Sequence, residues 1–215
     1  RKSSVGATLS LWAKKKEKNK MKMKKLIKPE AEIIYFTQLN NKQYPYRSCF
    51  PTSLAMAMRN NGYKYDSKFV HPDTHEGYEL DDYLFYLANS KEFQTIASKM
   101  GIPLGTKFLN EWWTVMEKVG NSLLNKQGMS CRFVSLGLDG IRAQIDKGKM
   151  VVVGTMLTGS GHIVTVCGYN DITGNLILCD PYGNSNNYAD KSVSGKCVEL
   201  TKEKMSKVLK NAIIF

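Results

Sequence analysis

The sequence lacks the features by which several protein classes are recognised. Its five cysteines form no Cys-x-x-Cys pair, so the spacings typical of zinc sites and thioredoxin-like motifs are missing. No apolar run reaches the ~20 residues of a membrane-spanning helix, and no internal repeat is present. With 42% hydrophobic residues in a chain of 215, the sequence predicts a globular domain of ordinary size, with room for an appendage.

Acidic residues are scarce at the start of the chain. The chain has a net charge of +12. Residues 1–28 hold eleven basic residues and one acidic residue, whereas residues 29–215 hold 20 basic and 18 acidic residues. We therefore predict a basic flexible arm or linker over residues 1–28 and one folded domain over residues 29–215. The arm is either solvated or contacts anionic lipid, nucleic acid or a neighbouring subunit, and we favour a larger assembly over nucleic acid.

The two parts of the folded domain differ in hydrophobic pattern. Helical periodicity dominates the first two-thirds and strand-like apolar runs the last third, which predicts an α+β fold with a helical half packed on an antiparallel sheet half. The expected helices cover residues 49–60, 80–88, 92–100, 110–123, 138–147 and 201–210. The expected strands cover residues 33–37, 131–135, 150–157, 162–169, 176–180, 198–200 and 212–215.

Cys49 stands at the first turn of a predicted helix. Pro51 suits the first turn of a helix, because the N–H groups there have no hydrogen-bond partner within the helix and the N–H that proline lacks is not needed. Phe50, Leu54 and Met58 recur four residues apart and form one apolar face. The free N–H groups and the dipole at this end of a helix favour a thiolate. Cys49 is thus a candidate nucleophile, and the alternative is a small buried hydrophobic residue.

The other four cysteines do not define a site by their spacing. Cys131, Cys167 and Cys179 lie in apolar, strand-like runs and are expected in the core, while a Cys179–Cys197 bridge stays open. Among the histidines, His71 and His75 have a spacing that could serve a metal on a helix, but Pro72 argues against a helix there. We therefore predict no metal site.

His162 and Asp180 are expected to be neighbours. His162 follows a glycine-rich turn and opens a strand, and Asp180 closes the next strand just before Pro181. A hairpin places the start of one strand beside the end of its partner. An acid beside a histidine fixes the tautomer and stabilises the imidazolium, which in turn supports a thiolate. The alternative interpretation, if each feature is considered alone, is that His162 is an ordinary surface residue and that Asp-Pro-Tyr-Gly is an ordinary turn.

Four motifs resemble those of papain-like cysteine peptidases. They are Gln-Leu-Asn-Asn at 38–41, Cys-Phe-Pro-Thr-Ser-Leu-Ala-Met at 49–56, Gly-His-Ile-Val-Thr-Val-Cys-Gly-Tyr at 161–169 and Asp-Pro-Tyr-Gly at 180–183. The most similar branch comprises the bacteriocin-leader-processing peptidases and their stand-alone bacterial and phage relatives. The resemblance implies a papain-like α+β fold.

The resemblance also implies a role for each matching residue. Cys49 would be the nucleophile, His162 the general base and acid, and Asp180 the residue that orients His162. A glutamine would help to hold the oxyanion. Gln38 matches the family's Gln-x-Asp/Asn-Asn pattern and is favoured, while Gln43, six residues before the cysteine, is the alternative.

Phe50 departs from the family pattern, because many members have glycine after the cysteine. A bulky residue there could narrow the pocket or silence the site. We expect a thiol hydrolase of amide bonds that needs no cofactor and acts on a peptide or on peptidoglycan. The expected context is a cell-wall-degrading module of a phage particle or secreted lysin. The alternatives are a protein- or self-processing peptidase and a silent binding module, and localisation is left open between virion-associated and secreted.

Overall fold

The computed structural model of the chain describes residues 24–65, 69 and 77–215. Within them, six α-helices and seven strands follow one another in a largely segregated order. The helices are α1 (Cys49–Asn60), α2 (Leu80–Asn89), α3 (Lys91–Lys99), α4 (Trp113–Leu124), α5 (Leu138–Asp146) and α6 (Lys202–Met205). The strands are β1 (Lys24–Leu26), β2 (Arg132–Ser135), β3 (Val151–Thr155), β4 (His162–Asn170), β5 (Leu176–Cys179), β6 (Val198–Glu199) and β7 (Val208–Ile214).

The described strands form one antiparallel sheet. Its order is β2-β7-β3-β4-β5-β6, and β1 pairs with the far end of β4. One face of the sheet and the helices α1 to α4 enclose the larger core, and α5 covers the other face through Ile141 and Ile145. Strands β3, β4 and β5 are buried on both faces, which is why their sequences are continuous apolar runs. The predicted α+β class is confirmed.

Helix α1 lies directly on strand β4. The Ser53 hydroxyl donates to the carbonyl of Ile163 at 3.0 Å, and the Thr165 hydroxyl donates to the carbonyl of Ser53 at 2.9 Å. The bond from Thr165 is buried and the bond from Ser53 is partly buried, so water has little access to them. They fix the start of the helix beside the start of the strand.

The sheet includes residues that we assigned to the basic arm. Lys24–Leu26 pairs with Gly168–Asn170, and a Cβ on Gly168 would lie 2.4 Å from the carbonyl oxygen of Lys25. Only glycine permits so close an approach of the two backbones. Residues 1–23 lie outside the described residues, and so do His71 and His75. No helix among the described residues is long and apolar enough to cross a membrane.

Two predicted elements are wrong. Residues 33–37 belong to no strand, because the backbone N–H and carbonyl of Ile34 both pair with the side chain of Asn60. The hydroxyls of Tyr35 and Thr37 donate to the carbonyls of Asp180 and Pro181 in the loop after β5. The helix predicted over 201–210 ends at Met205, and β7 begins at Val208, since this segment forms a central strand of the sheet between β2 and β3.

Candidate active site

Cys49 is the first residue of α1 and is partly exposed. The preceding loop is held against the helix, since the Ser48 hydroxyl lies within hydrogen-bonding distance of the carbonyls of Gln38 and Pro45. Thr52 donates its backbone N–H to the carbonyl of Ser48 and so begins the helical ladder. The N–H groups before it point out of the helix end, where they favour negative charge on the sulfur.

His162 is placed by a tight turn between β3 and β4. Gly161 has φ +86°, a conformation that favours glycine, and its carbonyl accepts from the Thr158 hydroxyl at 2.7 Å. The Thr155 hydroxyl donates to the carbonyl of His162 at 3.1 Å. These bonds fix the backbone on both sides of the histidine.

The imidazole of His162 lies between an acid and the thiol. Its Nε2 is 2.7 Å from Asp180 Oδ1, as the predicted hairpin requires, and the Cys49 side chain also hydrogen-bonds to the ring. Nδ1 is the ring nitrogen that remains for the sulfur. The described structure therefore brings Cys49, His162 and Asp180 together in one chain of contacts.

Electrostatics favour the charged forms of the histidine and the acid. Burial lowers the pKa of His162, but the negative charge of Asp180 and the hydrogen bonds with Asp180 and Cys49 outweigh it and raise the pKa to about 10. Burial raises the pKa of Asp180, yet the charge and hydrogen bond of His162 bring it below the ordinary value of 3.8. Both groups are therefore ionised near neutral pH.

Asp180 is fully buried and is surrounded by donors. Besides His162, its Oδ1 accepts the backbone N–H of Tyr182 at 2.9 Å, and its Oδ2 accepts the hydroxyls of Ser185 at 2.5 Å and Tyr188 at 2.6 Å. These four bonds compensate for the water that a buried carboxylate has lost. Ser185 and Tyr188 were not among the residues predicted from the sequence, because both lie in an irregular segment whose local pattern does not indicate that it folds back over Asp180.

The two candidate glutamines lie in different surroundings. Gln38 is buried between the loop that precedes Cys49 and the loop that follows Asp180: its backbone N–H donates to the carbonyl of Pro181, and its side-chain Nε2 donates to that of Pro45 at 2.7 Å. The backbone carbonyl of Gln38 faces the hydroxyl of Ser48, the residue before Cys49. Gln43 instead donates to the hydroxyl of Tyr78, away from this junction.

Phe50 belongs to the core. Its side chain is 1% exposed and packs on Trp113 with ring centroids 4.5 Å apart. Trp113 in turn stacks on Phe133 at 5.4 Å and lies against Gly154, where a Cβ would be 3.1 Å from the indole. The ring of Phe50 therefore forms part of the floor of the site and is held there by packing.

A cleft of about 650 Å³ opens onto the thiol. Cys49 and His162 share it, and its rim carries an ion pair in which Arg47 Nε is 2.7 Å from Glu111 Oε1. The two charged groups are each half-exposed, so the pair is weak. The other residues that line the cleft are Tyr46, Phe50, Trp113, Gly154, Thr155, Ser160, Gly161, Ile163 and Leu209.

The chain is similar to one family of known proteins and to several solved structures. The model of the Peptidase_C39 like family matches residues 30–208. The peptidase domain of Streptococcus ComA, a bi-functional ABC transporter involved in a quorum-sensing pathway, is 21% identical, with 78% of this chain and 89% of that chain covered and a TM-score of 0.43. Xylellain, a cysteine protease from Xylella fastidiosa, is 13% identical, with 89% and 85% covered and a TM-score of 0.42. No curated protein matches the sequence.

Proposed function

Because this chain belongs to the peptidase C39-like family and is a cysteine peptidase, we propose that it cleaves amide bonds through a triad of Cys49, His162 and Asp180. The observation that carries the assignment is the continuous chain of contacts from the partly exposed thiol through the buried ring to the buried carboxylate. Since the ring nitrogen Nε2 is committed to Asp180, Nδ1 is free to exchange a proton with the sulfur.

The reaction follows from these positions. The Cys49 thiolate attacks the substrate carbonyl, and a carbon–sulfur bond forms as the carbonyl oxygen becomes an oxyanion. The backbone N–H of Cys49 and the side-chain amide of Gln38 stabilise that charge. His162 then gives its proton to the leaving amine, and the acyl-enzyme forms. Water, deprotonated by His162, then attacks the acyl carbon, the carbon–sulfur bond breaks, and the acid leaves, which restores the Cys49 thiolate beside the protonated His162.

Asp180 acts through His162. Its carboxylate holds the imidazole in one orientation and stabilises the imidazolium, while Ser185 and Tyr188 keep the carboxylate itself in place. These two hydroxyls make Ser185 and Tyr188 positioning residues, since they contact Asp180 and lie behind it.

For the substrate, we propose a peptide bond of bacterial cell wall, cleaved by a module of a phage particle or a secreted lysin. The support is electrostatic: the net charge of +12, most of it in residues 1–28, attracts the chain to an anionic polymer. An open cleft lined by Tyr46 and Trp113 accepts an extended peptide. Processing of a protein, or of its own precursor, is the competing function and uses the same triad.

The test compares turnover of purified peptidoglycan and of a peptide library by the wild type, Cys49→Ala, His162→Ala and Cys131→Ala. We expect activity only in the wild type and Cys131→Ala, because Cys131 is a buried thiol whose pKa burial raises to about 12. Equal turnover by Cys49→Ala would refute the triad. Cleavage of the peptide library alone would refute the cell-wall substrate and retain the peptidase.

Two further measurements distinguish the proposed activity from self-processing and from a catalytically inactive binding module. Intact mass of a full-length precursor, wild type beside Cys49→Ala, shows whether the chain cuts itself. A thiol-reactive probe near pH 7 should label Cys49 much faster than Cys131. Equal labelling would show that the nucleophile is not activated and would favour a silent module.

A further inference from the structure

Three cysteines that the triad does not use meet in the core. Cys167 lies in β4, Cys179 ends β5, and Cys197 precedes β6. Their sulfur atoms all lie within 4.8 Å of one another, and the sulfurs of Cys167 and Cys197 are 3.8 Å apart. All three thiols are free and buried. Since 12 and 18 residues separate them along the chain, only the fold brings them together.

The backbone is irregular at two of these three cysteines. The β4–β5 pairing shifts register between Val166 and Gly168, which leaves Cys167 as the extra residue of a bulge. Cys197 has φ +54°, a left-handed conformation that is unfavourable for a non-glycine residue. Such strain persists only where the surroundings impose it and often marks a functional position.

The spacing suits one ion at the centre of the three sulfurs. A metal–sulfur bond of about 2.3 Å places three sulfurs about 4.0 Å apart in a trigonal plane, within the range seen here. Among the described residues the cluster contains no histidine and no carboxylate. Three thiolates without a fourth ligand match a soft ion better than zinc, which takes four ligands in nearly all structural sites.

We propose that Cys167, Cys179 and Cys197 form a trigonal thiolate site for a soft monovalent ion, Cu⁺. Binding replaces the three thiol protons, which leave to solvent, and changes no oxidation state. Lys196 adjoins the site and its positive charge acts on Cys179 and Cys197, which partly offsets the charge of the thiolates.

The ion ties together both ends of the segment that holds Asp180. Cys179 directly precedes Asp180, and the backbone N–H of Asp180 donates to the carbonyl of Gly195, two residues before Cys197. Ser185 and Tyr188 lie between these ends. A filled site therefore fixes the loop that positions the carboxylate, and the ion acts in the structure without contact with the substrate.

The experiment titrates the reduced, full-length protein with Cu⁺ under argon against a chromogenic Cu⁺ chelator. Every protein carries Cys49→Ser, so that the exposed thiol does not contribute. We expect one Cu⁺ per chain in this parent and in Cys131→Ser, the matched control with a buried thiol elsewhere. Cys197→Ser should bind at least 100-fold more weakly, and Cys197→Gly should do the same, because glycine accepts the positive φ without strain.

Two further measurements report the coordination of the copper and its effect on stability. X-ray absorption should show three sulfur neighbours around the copper, and the melting temperature should rise on loading in the parent but not in Cys197→Gly. Equal binding by the Cys197 variants, two sulfur neighbours, or preference for Zn²⁺ over Cu⁺ would overturn the proposal. So would an intact mass about 2 Da low from a disulfide between two of the three cysteines in protein purified without reductant.

Discussion

The hydrogen bonds that Asp180 accepts should contribute measurably to the stability of the folded protein. Replacing Tyr188 by Phe removes one hydroxyl, 2.6 Å from Asp180 Oδ2, and keeps the ring. A hydrogen bond to a charged group contributes about 1.5–3 kcal/mol, and the carboxylate is fully buried, so water does not replace the lost donor. We expect Tyr188→Phe to lower the free energy of unfolding by about 2 kcal/mol at pH 7. For a chain of this size, that loss corresponds to a melting temperature lower by about 4–8 °C.

The stability that Tyr188→Phe loses relative to the wild type should become smaller as the pH falls. The pKa of Asp180 is lowered in the folded protein, so the stability from its ionised form is present above the unfolded value of about 3.9 and is lost as pH falls through the folded pKa. A protonated carboxyl makes an ordinary hydrogen bond of about 0.5–1.5 kcal/mol. The difference between wild type and Tyr188→Phe should therefore shrink in acid.

Urea unfolding at pH 7 and at a series of lower pH values through the folded pKa of Asp180 measures this difference, and Tyr182→Phe is the matched control. Its ring lies 5.6 Å from that of Tyr188, and among the described residues its hydroxyl donates no hydrogen bond to Asp180, which takes only its backbone N–H. An equal loss in the two variants, or a deficit that does not change with pH, would refute the reasoning. In steady-state kinetics, Tyr188→Phe should lower kcat and leave KM unchanged, because the hydroxyl acts on the orientation of the triad.

Two other predictions concern the oxyanion and the histidine. Gln38→Ala should lower kcat by about 10²–10³-fold, the usual loss of one oxyanion donor, and Gln43→Ala should lower it less than 10-fold; the reverse order would assign the role to Gln43. The raised pKa of His162, about 10, means that the stability from its charged form is full below about 6.5 and is lost as pH rises toward 10. The free energy of unfolding of the wild type should thus fall relative to His162→Gln by up to about 1.4 kcal/mol per pH unit in that window, and parallel curves from urea titrations would contradict the pKa.

The elements that the sequence predicted well are those in which local pattern and tertiary role agree. The helix Cys49–Asn60 was predicted with Cys49 in its first turn and its end at about Asn60, because Pro51 suits the opening of a helix and Asn60-Asn61-Gly62 suits its end. The buried strands β3 and β4 were predicted within two residues, since a continuous apolar run bounded by glycine has few other solutions. The hairpin then placed His162 beside Asp180 by geometry alone.

The parts that were missed depend on contacts between distant residues. Residues 33–37 have the composition of a strand, but the backbone of Ile34 pairs with the side chain of Asn60. The hydroxyls of Tyr35 and Thr37 donate to carbonyls 145 and 144 residues away. Ser185 and Tyr188 reach Asp180 from an irregular loop. The three core cysteines meet through a bulge and a left-handed residue, and neither feature leaves a periodic signal.

Phe50 shows how the same residue gains a different meaning once its neighbours are known. From sequence, a bulky side chain after the nucleophile could block the cleft. In the structure, a helix that begins at Cys49 turns the next side chain away from the thiol by about 100°, and Phe50 is buried against Trp113. The indole needs the space that Gly154 leaves in β3. A glycine at position 50 would therefore leave a cavity beside Trp113, so Phe50 supports the start of α1 and leaves the approach to Cys49 from the cleft open.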